Sequence, residues 1–321
     1  MKFKRWSWLC PVSLCILAAC NTVRPDADNT IPPGLIFQDH VLADKIFAVK
    51  TNQKIDEAGL MQAISAAEYI LIGETHDNTR HHQIQAGIMD FLALSNSSAS
   101  VAFEMIDTEQ GRMLGLYKIT SPDMLITILN QHPSGWEYEL YYRDLFDSVI
   151  RAGFSIMPAN IVRKRLVEMM EDGQGNLTAE HENILSRFPL APQTAAAMER
   201  EIIDAHCGML TREQAQPMLR GQRIRDVTMA MNLTGSNALK KILIAGNGHV
   251  RNDWGVPKYL NDGRDHLVTV GLLEVDTGRN APADYSEFWQ NHELPFDYVW
   301  FTAQADRDDP CASYKQTHQR N

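Results

Sequence analysis

Short apolar runs closed by glycine, acids or histidines alternate along this chain with stretches whose apolar residues recur every three or four positions. The runs read as strands buried on both faces, and the periodic stretches as amphipathic helices. Residues 45–49 are the first strand, and a helix over about 55–67 leads to the run at 69–72, which Gly73 closes. Ile84, Ile88, Phe91 and Leu92 then mark a helix, and 99–103 is a second parallel-type strand ending on Glu104. From 108 to 234 the pattern is mostly helical, with one stripe of Trp136, Leu140, Leu145, Val149 and Ile150 and another of Met198, Ile202, Ile203, Met209 and Leu210. A strand at 154–157, closed by Pro158, interrupts it, and breaks at Gly173, Gly175 and 189–192 delimit a helical insertion over about 172–215. Strand character returns at 241–245, 266–273 and 297–301. This alternation predicts an α/β fold with a mainly parallel sheet, helices on both faces and a helical insertion.

The N-terminus changes the picture of compartment. Lys2, Lys4 and Arg5 precede an apolar run from Trp6 to Ala19, too short to span a bilayer and suited to a signal peptide. The run ends Leu17-Ala18-Ala19-Cys20, so residues 1–19 read as a lipoprotein signal and Cys20 as the lipidated residue. Asn21 after the cysteine favours the outer membrane of a Gram-negative envelope. Residues 20–40, polar and proline-bearing at their start, read as a flexible tether, 41–305 as the folded domain and 306–321 as a polar tail.

Loss of the signal removes three positive charges and no acids, taking the formal net charge from −10 to −13. So acidic a body is a poor partner for a phosphate backbone, which excludes nucleic acid as a partner. Of five cysteines, two leave with the signal and Cys20 carries lipid. Cys207 and Cys311 remain, and in an oxidising compartment either a disulfide or two free thiols is open to them.

The residues able to do chemistry gather after the apolar runs. Glu74 and His76 follow the run at 69–72, Glu104 follows 99–103, and His249 follows Gly246-Asn247-Gly248. Parallel strands align their carboxyl ends along one edge, where ligands sit in open α/β sheets. Two carboxylates and two imidazoles offer two uses: ligands for a divalent metal, or a Glu–His general base that activates water. The plainer reading makes Glu104 a helix cap and His249 a loop residue bonded to backbone. His81 and His82 open a helix, where one faces solvent and the other the site. Arg163, Lys164 and Arg165 after Asn160 read either as a solvated helix face or as a clamp for carboxylates; Arg220, Arg223, Arg225 and Asp226 pose the same choice, with the solvated face favoured. No phosphate loop, nucleophile-elbow serine, zincin helix or haem-attachment Cys-x-x-Cys-His occurs.

With these residues in view, the chain resembles the ChaN-like haem-binding lipoproteins, within a wider superfamily holding the TIKI and TraB proteins and the erythromycin esterases. The resemblance lies in Leu71 to His82, Phe103-Glu104-Met105, Trp136 with Tyr138, Ala159-Asn160 leading to Arg163, and Asp226 to Met231. It continues through Ile244 to Arg251 and Gly255-Val256-Pro257. Thr79 departs from it, standing where the family usually has proline, which leaves the loop less stiff. The resemblance implies a haem-binding envelope protein for haem and iron acquisition, holding haem at a homodimer interface through a tyrosine ligand. Tyr117, Tyr138, Tyr141, Tyr142 and Tyr259 are the tyrosines in the matched stretch. Tyr142 and Tyr138 beside Trp136 are preferred, with His82, Arg163 and Lys164 as further haem contacts. The wider superfamily implies the rival reading, a hydrolase, metal-dependent or not, working through Glu74, His76, Glu104 and His249.

Overall fold

The computed structural model describes residues 32–95, 97–132, 134–170, 176–260, 266–286, 293–309 and 311–312. The signal segment, Cys20 and the first part of the tether lie outside the described residues.

Apolar runs become strands here because alternate side chains can enter opposite cores. The strands are β1 (Leu35–Ile36), β2 (Lys45–Ala48), β3 (Gln53–Ile55), β4 (Tyr69–Glu74), β5 (Ala99–Asp107), β6 (Ser155–Asn160), β7 (Lys240–Gly246), β8 (Leu267–Glu274), β9 (Tyr298–Thr302) and β10 (Gln304–Ala305). Eight form one sheet in the order β3-β2-β9-β8-β4-β7-β5-β6, while β1 pairs separately with β10. From β9 to β6 every neighbouring pair is parallel, and the hairpin β2–β3 adds an antiparallel edge. Pro158, which cannot donate to a ladder, sits inside β6 at the opposite edge, where that costs least.

Helices α1 (Glu57–Ala66), α2 (Thr79–Ala93), α3 (Thr108–Leu114), α4 (Pro122–Leu129) and α5 (Arg143–Arg151) precede β6 or join its neighbours. Between β6 and β7 run α6 (Arg163–Met170), α7 (Ala179–Arg187), α8 (Pro192–Ala205) and α9 (Arg212–Thr234), and the short α10 (Asn247–Val250) follows β7. Ile70 and Ile72 of β4, with Ile242 and Ile244 of β7, enter a core shared with Leu60, Ile64, Ile88 and Phe146. Tyr69 and Leu71, with Leu243 and Ala245, enter the opposite core against Val227 and Leu233 of α9. The period of two along each strand divides the residues between the faces. No helix among the described residues is long and apolar enough to cross a membrane.

Several boundaries differ from the sequence pattern. Gly73 does not close β4, which runs on to Glu74, and Glu104 lies within β5 rather than beyond its end. Gly73 is there for a close approach: a side chain on it would collide with Asn247, whose amide ties to the backbone of Leu272. The helical excursion reaches from Arg163 to Thr234, beyond the expected 172–215, and α9 packs on the sheet itself. The tether is shorter than expected, because Leu35 and Ile36 pair with Ala305 and Gln304.

Nor does the start of the tail hang loose. Arg307 forks onto Asp77 (2.7 Å to each oxygen) and Glu274 (2.6 and 2.7 Å), and Cys311 is disulfide-bonded to Cys207. Cys207, in the left-handed region at φ 60°, ends the turn after α8. The bond therefore closes 104 residues and ties the helical excursion to a segment that grips the loop after β4. Cross-links over long loops stabilise chiefly by restricting the unfolded chain. Cys311→Ser should lower unfolding free energy by about 2–4 kcal/mol in urea titrations, and reductant should affect the parent alone; equal midpoints with and without reductant would contradict this.

Candidate functional site

Strand parity sets the site. Glu74 continues the phase of Ile70 and Ile72, so it enters the face covered by α2 and α5, where Tyr142 lies. Glu104 continues the phase of Ala102 and enters the other face, toward α9. Between their strands stands β7, which ends on Gly246. His76, in the loop after β4, reaches over that bare end and touches both acids. Its Nδ1 is 2.8 Å from Glu74 Oε1, and its Nε2 is 3.9 Å from Glu104 Oε2. A side chain at Gly246 would sit 3.1 Å from His76 Nε2 and 3.5 Å from Glu104 Oε2, squarely in that path. Gly246 also donates its backbone N–H to Glu104 Oε2 at 2.8 Å.

The row continues beyond Glu104. His249 Nε2 is 3.3 Å from Glu104 Oε1, and its Nδ1 is 2.5 Å from Asp226 Oδ1. Asp226 belongs to α9, as does Gln222, whose amide lies 3.1 Å from the His249 ring. At the other end Glu74 accepts from Tyr142 Oη at 2.7 Å and from Gln85 Nε2 at 2.8 Å. Carboxylate and imidazole thus alternate from Asp226 through His249, Glu104 and His76 to Glu74. All but His76 are buried, whereas 38% of the His76 side chain is open to solvent.

This alternation shifts the protonation of each member. Burial opposes charge on His249, but the Glu104 and Asp226 carboxylates outweigh it and lift the imidazole to about 10. Burial also opposes ionisation of Glu104, yet the charge of His249 holds its carboxyl well below the ordinary range. Glu74 is likewise buried and held low by the imidazoles of His82 and His76. For His76, desolvation is overcome by the hydrogen bond it donates to Glu74 and by the charge of Glu104, and the imidazole is raised. Asp226 goes the other way: burial pushes it up to about 6 despite His249.

Glu74, His76, Glu104 and His249 therefore come together, and Asp226 joins them, a residue assigned by its sequence to a solvated helix face. Its signal was present: an acid on an otherwise basic helix turn. As for a metal, the four donors face one another in pairs rather than a common centre, and no metal-holding group of three or more His, Cys, Asp or Glu occurs among the described residues.

Two expectations need correction. His81 and His82 are both buried; neither faces solvent. His81 Nδ1 accepts the Thr75 N–H at 2.8 Å, so Nε2 carries the proton and donates to Thr302 Oγ1. Burial pushes its imidazole down to about 3, so it stays neutral and acts as a brace. His82 lies beneath Tyr142, ring centroids 4.6 Å apart, with Nε2 3.6 Å from Glu74. Tyr142 and Tyr138, preferred as iron ligands, are sealed in the core. Tyr142 gives its proton to Glu74, and Tyr138 donates to the Met105 carbonyl at 2.6 Å; both phenols are raised by burial. They form a π-helical turn, Tyr138–Tyr142, that aims them inward. Arg163 and Lys164, by contrast, are exposed on the first turn of α6.

A cavity of about 390 Å³ opens beside the row, lined by Glu104, Trp136, Asn160, Arg163, Gln222 and Arg225 among others. Trp136 packs edge-on against His76 at 4.7 Å between centroids, forming one wall of the approach.

Comparison with known proteins agrees with this architecture. The family model described as haem-binding uptake, Tiki superfamily, ChaN matches residues 60–260. That is more than half of the chain, so the chain belongs to this family. Among solved structures, ChaN of Campylobacter jejuni with cofacially bound haem superposes with a TM-score of 0.62 at 20% identity, covering 79% of this chain and 95% of that one. The type III effector HopBA1 gives 0.41 at 14% identity over 76% and 92%. A mutant of the erythromycin esterase EreC gives 0.41 at 13% identity over 84% and 85%. No curated protein sequence matches.

The raised imidazole of His249 has a stability consequence. A group whose folded pKa exceeds its free value of 6.5 contributes fully below that value, and the contribution fades as pH rises toward 10. Stability of the parent should therefore fall between pH 7 and pH 10 in urea titrations. Glu104→Gln, which leaves His249 short of one buried partner, should cost about 3–5 kcal/mol at pH 7 and flatten that slope. A parent slope retained in the variant would count against the pairing.

Proposed function

We propose that this chain is a haem-binding lipoprotein of the cell envelope that takes part in haem and iron acquisition. The observation that carries the reading is the family match, which spans every member of the carboxylate–imidazole row. The similarity to ChaN of Campylobacter jejuni, a protein that binds haem cofacially, supports it. In this reading the signal segment and Cys20 support a lipid anchor in the outer membrane, with the residues between Cys20 and Leu35 as the tether.

A phenolate suits ferric haem as an axial ligand, and accessibility sorts the tyrosines of the matched region. Tyr138, Tyr142 and Tyr259 are buried with their hydroxyls engaged. Burial and then Asp77 push Tyr141 up to about 12, which opposes a phenolate there. Tyr117 is 47% exposed beside Leu116, 72% exposed, on the loop after α3. Phenol and apolar neighbour on one open loop suit a flat apolar ligand, so Tyr117 is the iron ligand of this proposal. A haem held there presents its second face outward, where a second copy of the chain covers it. Arg163 and Lys164 stand exposed on α6, and their charges suit propionates through charge-assisted hydrogen bonds, whereas His82 lies too deep.

One observation favours a second reading, a hydrolase. His76 is oriented by Glu74, open to solvent and beside a cavity. In that reading His76, once deprotonated above its raised pKa, takes a proton as water adds to an ester carbonyl, and returns it to the departing alcohol. Glu104 and His249 hold the imidazole in place.

Haemin titrated into the purified chain should produce a shifted Soret band, with Tyr117→Phe altering the ferric spectrum and Tyr142→Phe leaving it unchanged. Absence of any haemin complex sinks the first reading. For the second, aryl-ester turnover should drop about hundredfold or more in His76→Ala; an unaltered rate would dispose of it.

A further inference from the structure

Arg225 is a half-buried cation on α9 that makes one side-chain hydrogen bond among the described residues, Nη1 to Asn160 Oδ1 at 2.9 Å. A guanidinium has five N–H donors, and this one has no carboxylate partner among the described residues. The acids that share its cavity are already engaged. Glu104 accepts from the Gly246 N–H and pairs with His249, and Asp107 Oδ1 accepts the N–H groups of Glu109 and Gln110 at the start of α3. Partial burial without a counter-ion costs free energy unless an anion arrives.

Asn160 fixes where that anion would sit. Its Nδ2 donates to the Glu104 carbonyl at 3.0 Å, and its Oδ1 also accepts the Ile161 N–H at 2.9 Å, so the amide is held and in turn holds Arg225. The same cavity is lined by the apolar side chains of Ile161, Leu166, Met170 and Met218. Apolar walls with few placed polar groups, at about 390 Å³, make a small-molecule site, and methionine walls adapt to varied shapes. We propose that this cavity binds a carboxylate carried on an apolar body, with Arg225 as its anchor and the α6–α9 wall around its body. The site stands whether or not the chain takes haem through Tyr117. A free organic acid and a porphyrin propionate share this chemistry.

The test uses the purified full chain with 4-phenylbutyrate, and 4-phenylbutanol as the same body without charge, by titration calorimetry. One equivalent of the acid should bind, with the alcohol about tenfold weaker or worse, as loss of a charge-assisted hydrogen bond implies. Arg225→Ala should erase the difference between acid and alcohol, and Met218→Trp, which fills the cavity and keeps the cation, should abolish both. Unfolding curves on each variant establish that it is folded. No binding of the acid, equal binding of acid and alcohol, or an unchanged acid affinity in folded Arg225→Ala overturns the proposal. Haemin as competitor separates the sources. Displacement by haemin but not by its dimethyl ester identifies a propionate, and simultaneous binding identifies a separate small acid; either supports the anchor.

Discussion

The charged imidazole of His249, held between the carboxylates of Glu104 and Asp226, is the interaction on which the rest of the site depends. Each of the three is buried, and none could remain ionised alone. Pairing makes the burial tolerable, and it binds three distant segments: β5, α9 and the loop after β7. Glu104 is then oriented to meet His76, and His76 carries the arrangement across the sheet to Glu74. The crossing exists because Gly246 leaves the end of the central strand bare. Charge alternation and one missing side chain thus do the same job at two scales.

Around this row the molecule assigns cover and access to different parts. On one face the aromatic π-turn closes over Glu74, placing Tyr142 and His82 where water does not reach. On the other, α6 and α9 leave the cavity that meets Glu104 and Trp136. The tail closes the remaining side, since Arg307 grips Asp77, the residue next to His76, while Cys311 fastens the same segment to the helical excursion. Solvent meets the row at His76, and the cavity meets it at Glu104. A plate as broad as haem suits an open surface such as the Tyr117 loop, and a small acid suits the cavity. The two ligand readings therefore centre on different places, with Arg163, which lines the cavity, common to both.

What could be read from the residues alone was what strand period and residue type dictate locally. Runs such as 69–72 and 241–245 announced buried parallel strands, because apolar side chains on both phases leave no solvated face. Histidines and acids clustered after those runs marked the carboxyl edge, since parallel strands must end together. Family motifs pointed the same way, and the α/β sheet with helices on both faces is the fold observed.

Pairing, depth and partnership were decided only by the tertiary structure. A helix start such as His81-His82 looks solvated in one dimension, yet Thr302 and Tyr142 arrive from elsewhere in the chain to bury both rings. Tyr138 and Tyr142 carry the same functional group as Tyr117; burial separates them, and burial is a property of what packs on top. Asp226 appeared as one charge among arginines until the fold set it 2.5 Å from a histidine 23 residues away. The polar tail became a strap for the same reason: Arg307 and Cys311 find partners 230 and 104 residues distant. Local pattern determines which backbone a segment prefers, whereas the energy of a buried charge depends on neighbours that only the folded chain supplies.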